Sequence, residues 1–320
     1  LKANIHFPVD WVLLRDGTRT LMKAVALIRK CGLKHRMREP AAFITAMNRL
    51  CIQMSHAGRG ADSATRRKKV LRLMKQLMKK VRRHAQVHRR LLEDRRTETS
   101  LSERQAAQIL RRLDGVLERL PQAIRQAHER IIGGRSVRNA DKILSLYERD
   151  LHVIIRGKAG ASVEFGNTLL LAEQSEGLIV DWRLYREQSP PEAQVLVESL
   201  ERAKKAYARH PKSAATDRGF DSPDSRAYLA AHHIRDQMCP RSPSELKRKM
   251  RGAWFRAHQL RRGQTEGRIG ILKNEFLGKP LRSKGHGFRE LSVAWAVLAH
   301  NLWVLARLPQ AADEQERIAS

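Results

Sequence analysis

The sequence predicts an α/β chain, a mixed sheet flanked by helices, with a large basic α-helical insertion near the first strand. Three observations predict it. Apolar residues recur with a helical period from Trp11 to about Ile132, and the period changes to that of strands from Lys142. Beyond Pro190, helical and strand-like segments alternate, the order from which mixed sheets with flanking helices are built. The resulting division is 1–10 as the remnant of a first core strand, 11–135 as the basic helical insertion, 136–310 as the core, and 311–320 as a polar tail.

Residues 1–10 read as the end of a strand running into a turn. Helical spacing follows, with Leu21, Val25 and Ile28 between Thr18 and Arg29, and Phe43, Met47 and Leu50 between Glu39 and Ile52. Asp62 and Ser63 cap a third helix that carries Val70, Leu73, Met74, Leu77, Met78 and Val81 on one side. Ser102 with Gln105 makes a capping-box start for a helix reaching Leu120, and Pro121 begins the next at a permitted position. Gly133-Gly134 ends it. These segments are short and interrupted, which favours an antiparallel bundle over a coiled coil.

In the second half, Ile143–Leu146 and Leu151–Ile155 read as short strands, and Val163–Ala172 and Leu178–Arg186 as longer ones joined through Gly177. Pro190-Pro191 open a helix with Val195, Leu196 and Leu200 inward, ending near His210-Pro211. A strand at Ala214–Thr216 leads to Asp217, Gly219 permits a turn, and Ser222 caps a helix with Pro223 at its first position. Ile234–Met238 is a further strand, and the basic connection Ser242–Arg251 enters the helix of Glu266.

A chain of 320 residues is long enough to bury a substantial core. Its net charge of +30 is more informative, because such an excess repels itself unless a polyanion neutralises it. Nucleic acid is the expected partner, with a membrane surface as the rival. The third helix gathers Arg66, Arg67, Lys68, Lys69, Arg72, Lys75, Lys79, Lys80, Arg82 and Arg83 opposite its apolar side. A merely solvated face would intersperse acids, which are nearly absent from Arg66 to Arg90, so phosphate contact accounts for it better. Without interleaved aromatics, the backbone of a duplex is preferred to a single strand.

Other classes are excluded by what is missing. No run of about twenty uninterrupted apolar residues occurs, so no bilayer span is expected. The longest apolar run, Leu291–Leu308, is broken by His300, Asn301 and Arg307 and reads as a buried amphipathic helix. The start carries no signal-peptide pattern. Cys31, Cys51 and Cys239 lack paired metal-ligand spacing and read as reduced packing residues of a cytoplasmic protein. His84, His88, His232 and His233 have no Cys or acid at ligand spacing, which argues for surface or core residues over a zinc site.

The chemistry-bearing residues lie near the end of the chain. Asp217 sits at the carboxyl end of a strand, where open α/β sheets place their ligands. On a later helix, Ile269, Leu272 and Phe276 form an apolar stripe, and Arg262, Glu266 and Lys273 project at spacings of four and seven. An ordinary surface ion pair explains Arg262 and Glu266 taken alone. Together with Asp217, the layout is that of a metal-dependent phosphoryl-transfer site, where hard carboxylate oxygens hold magnesium and the metal activates a water or hydroxyl. Arg262 and Lys273 would contact phosphates or steady Glu266. For a third acid, Glu148 and Asp150 beside Arg149 read as surface pairing, Asp181 as solvent-facing or paired with Arg183, and Glu164 has no supporting context.

The pattern Asp217-Arg-Gly-Phe220, then Arg262, three residues, Glu266, six residues and Lys273, resembles the signature of insertion-sequence DDE transposases. That family usually has a Tyr three positions before the Arg, where this chain has Gln259. Arg156-Gly-Lys-Ala, Val163-Glu-Phe-Gly-Asn and His300-Asn301-Leu also resemble the family, so the likeness covers most of the chain. The resemblance implies a ribonuclease H-like core over 136–310, with Asp217 and Glu266 as catalytic acids and ligands of Mg2+ or Mn2+. It further implies cleavage and joining of double-stranded DNA at element ends and target, in the cytoplasm, without a membrane, by a homo-oligomer assembled on DNA. In that family a segment like residues 3–10 follows closely behind the first catalytic Asp. The chain thus reads as a fragment whose first acid and amino-terminal region lie upstream of Leu1, inactive by itself. Two rivals are a catalytically dead, basic DNA-binding remnant of a mobile element, and a metal-dependent nuclease on the same scaffold.

Overall fold

The computed structural model describes residues 1–5, 7–58, 62–158 and 161–319, with side chains for all of these except 156–158, 161–162 and 309–319. Of the stretch Arg156–Ala159, Ala159 lies outside the described residues, and the side chains of the other three are not among those described. The chain divides into two compact units, Ile5–Arg149 and Leu1–Asn4 with Asp150–Ser320.

The first unit contains four helices, α1 (Asp10–Lys30), α2 (Pro40–His56), α3 (Ser63–Asp94) and α4 (Glu103–Ala127). Their apolar stripes meet in one core. Leu21 and Ile28 of α1, Met47 and Met54 of α2, Met74 and Met78 of α3, and Leu113 and Leu120 of α4 are all fully buried. Each such side chain stabilises the fold by about 1.5–3 kcal/mol. The capping box at α4 forms in both directions, Gln105 N–H donating to Ser102 Oγ at 3.3 Å and Ser102 N–H to Gln105 Oε1 at 3.0 Å.

Two expectations fail in this unit. Pro121 does not open a new helix but lies inside α4. The missing N–H removes one backbone bond, while Leu120 and Ala123 on either side are fully buried and hold the helix on course. Nor is Ile143–Leu146 a strand; it is an irregular buried segment whose Ile143 N–H donates to Gln126 Oε1 at 2.7 Å. Gln126 also donates to the buried Asp10 carboxylate at 2.9 Å, which takes two further bonds from Arg130. This network satisfies the one deeply buried acid at the start of α1.

The second unit runs β1 (His152–Lys158), β2 (Ala161–Gly166), β3 (Leu169–Glu173), β4 (Ile179–Leu184), α5 (Glu192–Tyr207), β5 (Ser213–Ala214), α6 (Pro223–Ala231), β6 (Arg235–Asp236), α7 (Pro243–Lys249), α8 (Ala253–Ile271) and α9 (His286–Ala319). Between α8 and α9, Leu272–Leu277 form a π-helical turn. The strands do not merge into the expected ribonuclease H-like mixed sheet. Helix takes up 64% of the structure, and the described strands form only three two-stranded sheets, so the chain is a helix-rich protein with small sheets. β1 pairs with β2 and β3 with β4, both antiparallel, while β5 and β6 run parallel over two residues each.

Local chemistry accounts for the breaks. The expected strand Val163–Ala172 is interrupted at Asn167, whose side-chain amide donates to the carbonyls of Asp150 at 2.6 Å and Tyr185 at 2.9 Å. Those acceptors are then unavailable to a continuing ladder. β5 and β6 lie close to Pro211 and Pro240, which donate no hydrogen bond to a neighbour. Gly166 is required for a close approach: a β-carbon there would sit 1.7 Å from the Leu1 carbonyl oxygen.

Two apolar clusters hold this unit. One joins β4, Leu272, Leu281 and the α9 residues Val293, Ala296 and Val297; the other joins α5, α6 and Met238. Asn301 of α9 closes both backbone groups of Ile179, accepting from its N–H and donating to its carbonyl, each at 2.9 Å. Contrary to the expected buried helix, α9 is buried on one side only. Phe288, Leu291, Trp295, Leu298, Leu302 and Leu305 stay 48–71% exposed. Its segment His286–Leu308 is, among the described residues, the one helix long and apolar enough to cross a bilayer by length and composition.

Candidate metal-dependent nucleic-acid site

Asp217 is delivered by the carboxyl end of β5. The parallel pairing with β6 continues past the strand, Gln237 N–H donating to Ala214 O and Cys239 N–H to Thr216 O, both at 3.0 Å. Asp217 itself is extended and opens a 3-10 turn, Arg218–Phe220. The turn is held from behind by buried Asp221, which accepts from Arg226 at 2.7 and 3.0 Å and from the Arg241 N–H at 2.9 Å. Arg226, the larger influence, holds the Asp221 carboxyl below its ordinary range, and Arg241 adds to this. Arg241 also donates to the carbonyls of Arg218 and Gly219.

Glu266 arrives on α8. Phe255 is buried, Gln259 donates to the Gln237 carbonyl at 2.9 Å, and Arg268 pairs with Glu173 of β3 at 3.0 Å, so α8 is fixed at three levels along its length. Gln259 thus ties α8 to the segment after β6.

The two acids, far apart in sequence, meet at one atom. Nη1 of Arg262 donates to Asp217 Oδ1 and, at 3.1 Å, to Glu266 Oε1. Both carboxylates are open to solvent, with side chains 60% and 68% exposed. Burial disfavours the charge on Arg262, but the hydrogen bond it donates to Asp217 and the charges of both acids outweigh it and raise its pKa. Nε of the same guanidinium is buried without a hydrogen-bond partner among the described residues. Lys273 lies in the π-helical turn beyond α8 and is not among the residues lining the cleft.

The cleft encloses about 570 Å³ and is lined by Asp217, Arg218, Gly219, Gln259, Arg262, Cys239, Leu246, Met250 and Glu192. Glu192, from the first turn of α5, was not anticipated from the sequence. Its only advance signal is the acid directly after Pro190-Pro191. Gly219 makes room for it, since a β-carbon there would fall 1.3 Å from Glu192 Oε2. Of the other acids weighed, Asp181 accepts from Arg202 at 2.8 and 3.0 Å and from Ser199 at 2.6 Å, not from Arg183, and Asp150 pairs with Arg186 at 3.1 Å. Arg149 pairs with Glu118 instead of its sequence neighbours.

The donor set fits a hard divalent ion. Magnesium takes carboxylate oxygens and keeps several waters, which the exposure of Asp217 and Glu266 permits. A cation contacting both acids would have to displace Arg262 Nη1 from its present position. Bound there, Mg2+ or Mn2+ would supply Lewis-acid polarisation of a phosphodiester and a more acidic water. The chain's own residues contribute two oxygens and a guanidinium able to pair with phosphate.

On α3 the anticipated basic surface lies opposite the buried stripe of Leu71, Met74, Met78, Val81 and Ala85. Arg66, Lys69, Arg72, Lys79, Lys80 and Arg83 are exposed, whereas Arg67, Lys68, Lys75 and Arg82 are half-buried. Arg67 stacks over Trp11 at 5.8 Å and Lys75 hydrogen-bonds His128 at 3.1 Å. No ion pair among the described residues involves Lys69, Arg72, Lys79, Lys80 or Arg83. With no Asp or Glu between Arg66 and Arg90, this face has no built-in counter-charge along the helix.

Comparison with protein-family models, with curated proteins and with solved structures finds no match for this chain. The resemblance at Asp217, Arg262, Glu266 and Lys273 stands on those residues alone.

Proposed function

We propose that this chain belongs to a transposase-type enzyme of the cytoplasm that cuts and joins duplex DNA with Mg2+ or Mn2+ held by Asp217 and Glu266. The observation that carries the reading is that these two acids, from a strand end and a later helix, bond one nitrogen of Arg262. An oxygen pair gathered at a single point, beside a cleft that also presents Arg218 and Arg262 and in a chain of net charge +30, suits the charge of a phosphodiester and its metal. Exposed cations on α3 support the DNA part of the reading independently of the acids.

Self-association on DNA has support from α9. Its exposed apolar residues are spaced three, four, three, four and three apart, the 3.5-residue period of a left-handed helix seam. A second copy presenting the same stripe matches it in shape and chemistry. The six side chains expose roughly 600–700 Å² per copy, so a symmetric pair would bury roughly 1,300 Å², within the range of stable interfaces.

A second reading, DNA binding without catalysis, is favoured by Arg262 itself, which already pairs with both acids. Manganese binding to the whole chain, followed by water-proton relaxation, separates the two. Mn2+ binding that is lost in Asp217→Asn and Glu266→Gln while duplex DNA still binds supports the metal site. Equal Mn2+ affinity in both variants and the parent sinks it and leaves the DNA-binding reading.

A further inference from the structure

Glu201, His210 and His232 converge in a second place, built from α5, the loop after it and the end of α6. One ligand atom from each lies within 4.8 Å of the others. Their sequence separations conceal this, because no two fall at the short spacings of familiar metal motifs. The chain reverses after α5 through Ala208, whose φ of +55° lies in the left-handed region, and this brings His210 back beside the last turns of the helix. His232 closes the end of α6, and its ring lies 4.5 Å from that of His210.

The environment points to a ligand. Both ring nitrogens of His210 are out of contact with solvent and have no hydrogen-bond partner among the described residues. An imidazole whose two nitrogens are shielded and unanswered costs free energy unless something accepts its lone pair. The Tyr228 hydroxyl donates to Glu201 Oε1, fixing that carboxylate as an outer hydrogen bond fixes a metal-bound acid.

We propose that Glu201, His210 and His232 bind a divalent transition metal of the zinc class, with water completing the coordination. Two imidazoles and one carboxylate select zinc or cobalt over magnesium, which prefers oxygen alone. A metal held by all three would tie α5 and the loop after it to the end of α6. The site is independent of the Asp217–Glu266 pair and takes a different kind of ion.

The test uses the whole metal-free chain, titrated with Zn2+ against a chromophoric chelator and with Co2+ followed by its visible absorption. One tight equivalent is expected, with a tetrahedral cobalt spectrum, a raised melting temperature and no competition from excess Mg2+. Tyr228→Phe, which keeps the ring packing, should weaken zinc by about 10–100-fold. Glu201→Gln with His210→Gln and His232→Gln should abolish the tight equivalent, with circular dichroism confirming the fold. Asp217→Asn and Glu266→Gln should leave zinc binding unchanged. A parent without a tight equivalent, or a triple variant that keeps it through the chain's other histidines, would overturn the assignment.

Discussion

Neutralising the exposed cations of α3 is the sharpest perturbation of the DNA-binding reading. Lys69, Arg72, Lys79, Lys80 and Arg83 are exposed, lack an ion pair among the described residues, and lie along fourteen residue steps of helix. At 1.5 Å per residue that is about 21 Å, enough to pass about six phosphates along one DNA strand. If each of the five cations neutralises one phosphate, they contribute about −4.5 to the slope of log affinity against log salt. Raising salt from about 50 to about 200 mM then weakens binding by about 500-fold through these residues alone. Replacing all five by Gln should make the slope shallower by about that amount, in fluorescence-anisotropy titrations of a random duplex of some twenty base pairs. A variant whose slope stays within about one of the parent's would refute phosphate contact at this face and return the cations to simple solvation.

Three further outcomes are expected. Asp10→Asn removes the charge from the bonds with Gln126 and Arg130 and should cost about 1.5–3 kcal/mol, read from urea denaturation; an unchanged midpoint would mean the network is not stabilising. His88 is fully buried, its Nδ1–H donates to the His84 carbonyl at 2.8 Å, and its Nε2 has no partner among the described residues. Burial first, then Arg29, His35 and His84, lower its pKa below the ordinary 6.5 despite that hydrogen bond, and burial lowers that of His84 too. Below about 6.5 the unfolded chain therefore holds more protons than the folded one, so stability should fall with pH there and level off only under the folded value. His88→Leu should flatten part of that dependence in denaturation midpoints between pH 7.5 and 5.5, and an identical profile would exclude His88 as its source. Leu298→Glu in the exposed α9 stripe should reduce the sedimenting mass of any self-associated chain to that of a single copy; unaltered association would place the contact elsewhere.

What the sequence disclosed was local. The Ser102–Gln105 box and the Ser222–Pro223 start depend on residues three apart, and both form as their spacing suggests. Arg262 and Glu266 share a helical face for the same reason, and the Asp217 turn is set by Gly219 and its neighbours. Sheet architecture was not legible, because a two-residue alternation says that a strand exists but not which neighbour it finds. The amide of Asn167, which ends the ladder, looks in the sequence like any other polar residue. Pro121 misled because packing of Leu120 and Ala123 outweighed one lost hydrogen bond. Glu192 and the Glu201–His210–His232 group escaped notice since their members come together only after α5 folds against α6 and the Asp217 turn.

Asn167 has a consequence for how the helical unit is inserted. Its backbone N–H donates to the Leu1 carbonyl at 3.1 Å and its side chain to the Asp150 carbonyl at 2.6 Å. One residue therefore staples together the points where the polypeptide leaves the second unit and where it returns. The chain from Ile5 to Arg149 is thus an insertion whose flanking points are joined through one residue. Substituting Asn167 by Leu would remove the bonds to the Asp150 and Tyr185 carbonyls while leaving the backbone bond to Leu1, so only the returning end of the insertion would be released.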